Sequence, residues 1–196
     1  MELKFPFRAA KKEDSAAIAQ LFSISSGGVA DYVWSTLDYP GLSPLEVGAI
    51  RYASEETVFS YRNCVVAERG AKVVGMLVTF ALEEEHPSSD NQVTEPVDDV
   101  LAPYNKLELP GSWYICGVGV FPEYRGQGLG SQFVEIAHAQ GREKGLREVS
   151  LIAFEQNVGA VRLYEQRGYT IRDRAPVTPH RLIRYTGDAL LMARAI

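Results

Sequence analysis

The residues of this chain best suited to chemistry lie in the stretch "VFPEYRGQGLGS", where Arg125 is followed by Gly126, Gln127, Gly128, Leu129, Gly130 and Ser131. Glycine at alternate positions leaves successive amide N–H groups unobstructed, so they can converge on one anion. A helix that begins here adds its positive dipole end and its orphan N–H groups. A phosphate or pyrophosphate is the natural ligand, and the plainer alternative is a tight strand-to-helix turn that binds nothing. Two better-known glycine loops do not fit. A Walker A loop needs a lysine before its Ser/Thr, and none precedes Ser131. The dinucleotide fingerprint needs a third small position, occupied here by Ser131, and an acid at the end of the next strand, whereas Glu148 begins that strand. Downstream, "FEQNVGAVRLYEQRGY" supplies Asn157 as a helix N-cap, Tyr164 one turn after Ala160, and Gly168 as a left-handed closing residue.

These groups need particular elements to hold them. "WYICGVGVF" reads as a strand in which Tyr114, Cys116, Val118 and Val120 share one face and Ile115, Gly117 and Gly119 the other. Two glycines inside a strand admit another backbone or a ligand, or mark a bulge. Pro122 ends the pairing, and "GLGSQFVEIAHAQGREKG" reads as an amphipathic helix. "REVSLIAF" then reads as a strand and "NVGAVRLYEQRG" as a helix, an alternation that implies parallel strands with crossover helices. Upstream, "KFPFRAA" and "KKEDSAAIAQLFSIS" form a β-α opening, with Ile18, Leu21, Phe22 and Ser25 on one side. "SPLEVGAIRYAS" reads as a helix capped by Ser43 with Pro44 at its first position. "NCVVAERGAKVVGMLVTFAL" reads as a hairpin about Glu68–Ala71. Residues 83–112 lose periodicity and form a long excursion, and "YTIRDRAPV" and "DALLMARAI" read as closing strands. Tyr32, Trp34 and Tyr39 fall in an aromatic-rich region with no assigned helix; they could wall an acceptor pocket, but packing under the first helices is the expectation.

The 196 residues suit one domain spanning 1–196, and 46% hydrophobic with 23% charged residues suits a soluble globular protein. A net charge of -5, with no basic stripe, disfavours nucleic acid as a partner. No stretch approaches the roughly 18 apolar residues of a membrane span, so a cytoplasmic protein without a membrane partner is expected. Cys64 and Cys116 sit in apolar runs without C-x-x-C spacing, and buried free thiols are expected. His86, His138 and His180 read as surface residues.

The stretch from Tyr114 to Tyr169, with Arg125, Gly128 and Gly130 in an Arg/Gln-x-x-Gly-x-Gly/Ala pattern, resembles the GNAT superfamily of N-acetyltransferases. "FRAAKKEDSAAIAQLF" is similar to that family's opening strand and helix. The resemblance implies a mixed α/β (α+β) fold: a central, mostly antiparallel sheet of six to seven strands with a parallel splayed pair and helices on both faces. It implies acetyl-CoA as cosubstrate, with no metal, and an amine as acceptor; a homodimer stays open. The pyrophosphate would rest on the amides of Arg125, Gly126, Gln127, Gly128, Leu129, Gly130 and Ser131. The pantetheine arm would pair with the backbone of Val118 and Val120 beside Gly119, with Asn157 near the arm.

In such enzymes Tyr164 would protonate or hydrogen-bond the departing CoA sulfur, and a strand amide would stabilise the oxyanion. The strand-start position that carries a glutamate in several related families is Tyr114 here, flanked by Trp113. Another candidate acceptor of the amine's proton is a carboxylate of the Glu83-Glu84-Glu85 run, centred on Glu84, which reads equally well as a solvated edge. If Asp90, Glu95, Asp98 and Asp99 border the groove, they favour a cationic acceptor. With no cysteine placed for an acetyl-enzyme, direct transfer is the expected route. The alternative of another class is a non-catalytic acyl-CoA-binding module.

Overall fold

A computed structural model describes residues 5–83 and 99–196. Seven strands follow the order β1-β2-β3-β4-β5-β7-β6, and the chain divides into two compact units.

The first unit comprises Met1–Val78 and Gly117–Phe133. Strands β1 (Phe7–Ala9), β2 (Cys64–Arg69) and β3 (Lys72–Ala81) pair antiparallel, and Phe7, Ala67 and Gly75 fall in one cross-strand row. The hairpin turns at Gly70, whose φ of 62° a residue with a Cβ adopts at a cost. Helix α1 (Ser15–Ser25) buries Ile18, Leu21 and Phe22. Phe22 lies against Gly117 beside Met76, while Phe133 lies against Gly75 and meets the Phe7 ring edge-on at 5.1 Å. Met76 and Gly75 point to opposite sides of β3, so helical residues cover both faces of this part of the sheet. Arg8 ties β1 to its surroundings through Asp14 at 2.7 Å and Glu68 at 2.6 Å.

One helix of this unit was not expected. Helix α2 (Val29–Thr36) follows Gly27 and Gly28, both left-handed with φ of 62° and 99°, which turn the chain directly out of α1. It buries Tyr32, Val33 and Trp34, as the expectation for the aromatics required, whereas Tyr39 is exposed. Helix α3 (Pro44–Ala53) begins as its sequence predicts, with Ser43 and Glu46 in a reciprocal capping box and Pro44 in the first turn. A Cβ on Gly48 would stand 2.6 Å from the Trp34 ring, so glycine is what lets α2 and α3 close.

The second unit comprises Thr79–Cys116 and Val134–Ile196. The excursion leaves and returns at one place: Leu82 N–H donates to the Ser112 carbonyl and Gly111 N–H to that of Leu82. Among its described residues, a single turn, α4 (Ala102–Asn105), lies between buried Leu101 and Leu107. Strand β4 (Trp113–Val120) pairs parallel with β5 (Glu148–Phe154), in register from Trp113↔Val149 to Ile115↔Leu151. Their starts are pinned by the buried hydroxyls of Ser112 and Ser150, 2.6 Å apart. Along its full length β5 pairs antiparallel with β7 (Asp188–Ala195), which also pairs β6 (Thr170–Pro176). The edge strand β6 carries Arg172, Asp173 and Arg174 exposed, a charge pattern that discourages pairing with another chain.

Candidate active site

In the first unit, β4 ends where Phe121 N–H donates to Val74 O. A turn of 3-10 helix over Pro122–Tyr124 follows, then the glycine loop, then α5 (Leu129–Glu143). Gly126 and Gly128 have φ of 72° and 86°, and a Cβ on Gly126 would meet nothing within 4 Å. The loop is therefore open at Gly126, and its two left-handed residues turn the chain from the strand end into α5. Arg125 Nε donates to Val120 O at 3.0 Å, so this side chain clamps the loop to the strand end. Gly128 O accepts from Gln132 N–H, closing the first turn of α5, and Leu129 anchors that turn in the core. Gln132 is 8% exposed, and its buried Oε1 has no partner among the described residues. The open loop at Gly126 and the start of the 15-residue α5 form a cradle that fits an anionic ligand, whereas the Gln132 amide oxygen, an acceptor, can only take a donor.

The glycines of β4 also have a packing role. A Cβ on Gly119 would stand 2.6 Å from Leu21 O, and one on Gly117 would stand 2.8 Å from the Phe22 ring. On the side where a Cβ would stand, these glycines permit the close approach of α1. Val118 and Val120 are half-buried on the other face.

In the second unit, the phenol of Tyr114 meets Phe80 edge-on at 5.6 Å. Burial holds it protonated well above its ordinary value, and nearby Cys116, Glu108 and Tyr164 add to this. Tyr114 and Tyr164 thus share one electrostatic neighbourhood, and Tyr114 can donate a hydrogen bond but resists giving up its proton. Tyr164, on α6 (Val158–Gln166), is 8% exposed, and burial pushes its hydroxyl up to about 12. Asn157 caps α6 as predicted, its Oδ1 accepting from Ala160 N–H at 3.4 Å, which leaves its side-chain NH₂ as a donor.

Two expectations are corrected. His138 is not a surface residue but fully buried, with Nε2 3.0 Å from the hydroxyl of Tyr169. The signal was its place on the apolar row of α5 with Val134 and Gly141, one turn to either side. Cys64 is buried, but Cys116 is only half-buried. Glu84, with Glu85, His86, Asp90, Glu95 and Asp98, lies outside the described residues; Glu83 is exposed, and the Asp99 carbonyl accepts from Thr178 Oγ1. His180 is half-buried, its Nδ1 accepting from Leu182 N–H. Among the described residues no His/Cys/Asp/Glu cluster could hold a metal, and no helix is long and apolar enough to cross a membrane.

Comparison with known proteins identifies the family and the fold. The model of the acetyltransferase (GNAT) family matches residues 32–169, well over half of the chain. A mycothiol acetyltransferase from Thermobispora bispora is 31% identical over 133 residues, 68% of this chain, and the chain spans 38% of that relative's length. An N-acetyltransferase structure from Staphylococcus aureus Mu50 superposes with a TM-score of 0.68 at 18% identity, covering 96% of this chain and 100% of that one. The structure of yncA from Salmonella typhimurium, solved with its cofactor acetyl-CoA, gives a TM-score of 0.60 at 16% identity, covering 98% and 94%.

Proposed function

Since the chain belongs to the acetyltransferase (GNAT) family, we propose that it transfers the acetyl group of acetyl-CoA directly to the primary amine of a small amine, amino acid derivative or peptide N-terminus. The observation that carries the reading is the loop of left-handed Gly126 and Gly128, open at Gly126, that leads into the start of α5.

In this reading the amides of Arg125 to Ser131 hold the pyrophosphate, and the backbone of Val118, Gly119 and Val120 takes the pantetheine amides. The Asn157 side-chain NH₂ donates to the same arm. The acceptor nitrogen forms its bond to the thioester carbonyl carbon as the carbon–sulfur bond breaks, and the sulfur leaves with the electron pair. Tyr164, kept protonated by burial, donates to that sulfur. The proton shed by the amine leaves through water or a carboxylate such as Glu84, while Tyr114, also held protonated, supplies a second donor. Cys116, a mid-strand residue, takes no covalent part.

A thermal-shift series with CoA and its acyl esters tests the donor. Thiol release from acetyl-CoA with spermidine, tyramine, an amino acid amide, a short peptide and, from the relative's name, a mycothiol-related amine tests the acceptor. Tight acetyl-CoA binding with no turnover of any amine would sink the enzyme reading in favour of an acyl-CoA-binding module.

A further inference from the structure

The buried imidazole of His138 lies outside the chemistry described so far, yet it connects to Tyr164 through one residue. The Tyr164 carbonyl accepts both Arg167 N–H at 2.9 Å and Tyr169 N–H at 3.1 Å, so the backbone of Tyr169 is tied to the proposed donor. The two rings meet edge-on with centroids 5.6 Å apart. On its other side Tyr169, 3% exposed, stacks on His138 at 5.6 Å and 26°, and its hydroxyl is 3.0 Å from Nε2. Arg194 of β7 completes the arrangement: its Nη1 donates to Arg167 O at 2.6 Å and lies 3.5 Å from His138 Nδ1. Its chain also covers Gly168, whose φ of 81° ends α6.

The chemistry of these groups selects a protonation state. Arg194 can only donate, so the imidazole that receives it presents a lone pair at Nδ1 and carries its proton at Nε2, which then donates to Tyr169. Glu135 Oε2, 3.7 Å from Nδ1, would favour the other arrangement, but Arg167 engages that carboxylate at 2.9 Å. Burial, reinforced by Arg194 and Arg142 against Glu135, keeps the imidazole neutral. A buried apolar side chain would fill the same volume, but it would not fix the direction of the Tyr169 hydroxyl or the rotation of its ring.

We propose that His138 is a positioning residue for Tyr164, acting through the hydroxyl of Tyr169: it fixes the ring against which the Tyr164 phenol rests. The inference depends on the role given to Tyr164 above.

The test uses the full chain with acetyl-CoA and the amine that the panel shows to be turned over fastest, and four variants: Tyr164→Phe, Tyr169→Phe, His138→Leu and His138→Gln. Tyr169→Phe keeps the ring and His138→Gln keeps a side-chain N–H donor, so both guard against a simple failure to fold. Tyr169→Phe and His138→Leu should each lower kcat about tenfold with KM for acetyl-CoA within about twofold, because the loss is one of orientation and not of binding. His138→Gln should restore kcat to within about threefold of the parent. Added to Tyr164→Phe, either change should have no further effect on kcat, since the group being positioned is gone. If Tyr164→Phe lowers kcat while Tyr169→Phe and His138→Leu leave it unchanged, or if they lower it equally without the Tyr164 hydroxyl, the positioning role is overturned. If Tyr164→Phe itself retains full kcat, the donor role of Tyr164 fails, and this inference fails with it.

Discussion

Gly119 of β4 lies directly against the backbone of α1: a Cβ there would stand 2.6 Å from the carbonyl oxygen of Leu21 and 3.1 Å from its carbonyl carbon. A helix carbonyl cannot swing aside as the end of a flexible side chain can. Gly119→Ala should therefore push α1 off the strand and cost about 1–3 kcal/mol, read as a lowered Tm without ligand. A variant as stable as the parent would show that α1 gives way freely.

Gly126→Ala separates conformation from packing. The position has φ of 72° but open space around its Cβ, so the substitution costs on the order of 1 kcal/mol in backbone strain alone. The loop amides would be turned from their positions, and the expected result is a several-fold rise in Kd for CoA by titration calorimetry, with a smaller loss of Tm than Gly119→Ala. Unchanged CoA affinity would remove this loop from the donor site.

Tyr164→Phe removes one buried hydroxyl and keeps the ring against Tyr169. Turnover measured by thiol release should fall roughly 100-fold, the usual scale for a lost general acid, with acetyl-CoA binding retained. Full turnover would exclude a proton-donating role.

Stability should fall in two steps as pH is lowered. The neutral state of His138 is favoured by burial and by Arg194, so its folded pKa lies below the ordinary 6.5. The unfolded chain then binds more protons, and the contribution, full above pH 6.5, is lost as pH falls from there through the folded value. Asp14, held below its ordinary 3.8 by the hydrogen bond from Arg8, contributes fully above that value and loses its contribution as pH falls further. Thermal melts across pH 3–8 check both, and His138→Gln should flatten the upper step; an unchanged upper step would mean that His138 is not its source.

The sequence made much of this legible because local rules coincided. Period-2 and period-3.6 patterns placed the strands and most helices, the Ser43–Glu46 box and Asn157 marked helix starts, and the glycines at 126 and 128 marked the turn into α5 where an anion is proposed to bind. Helix α2 was hidden because its start signal is a left-handed Gly27-Gly28 turn in place of a polar cap, and aromatics spaced through a short helix resemble a packed loop.

The strands, the helices other than α2 and α4, the glycine loop and the family were thus readable from residues close together in the chain. Only the tertiary structure decided what lies over Gly119, which side of α5 takes His138 inward, and how Arg194, Tyr169 and His138 surround the end of α6. Those contacts join residues tens of positions apart. No local periodicity encodes them, because burial, protonation and ring orientation are set by whichever element arrives on the other side.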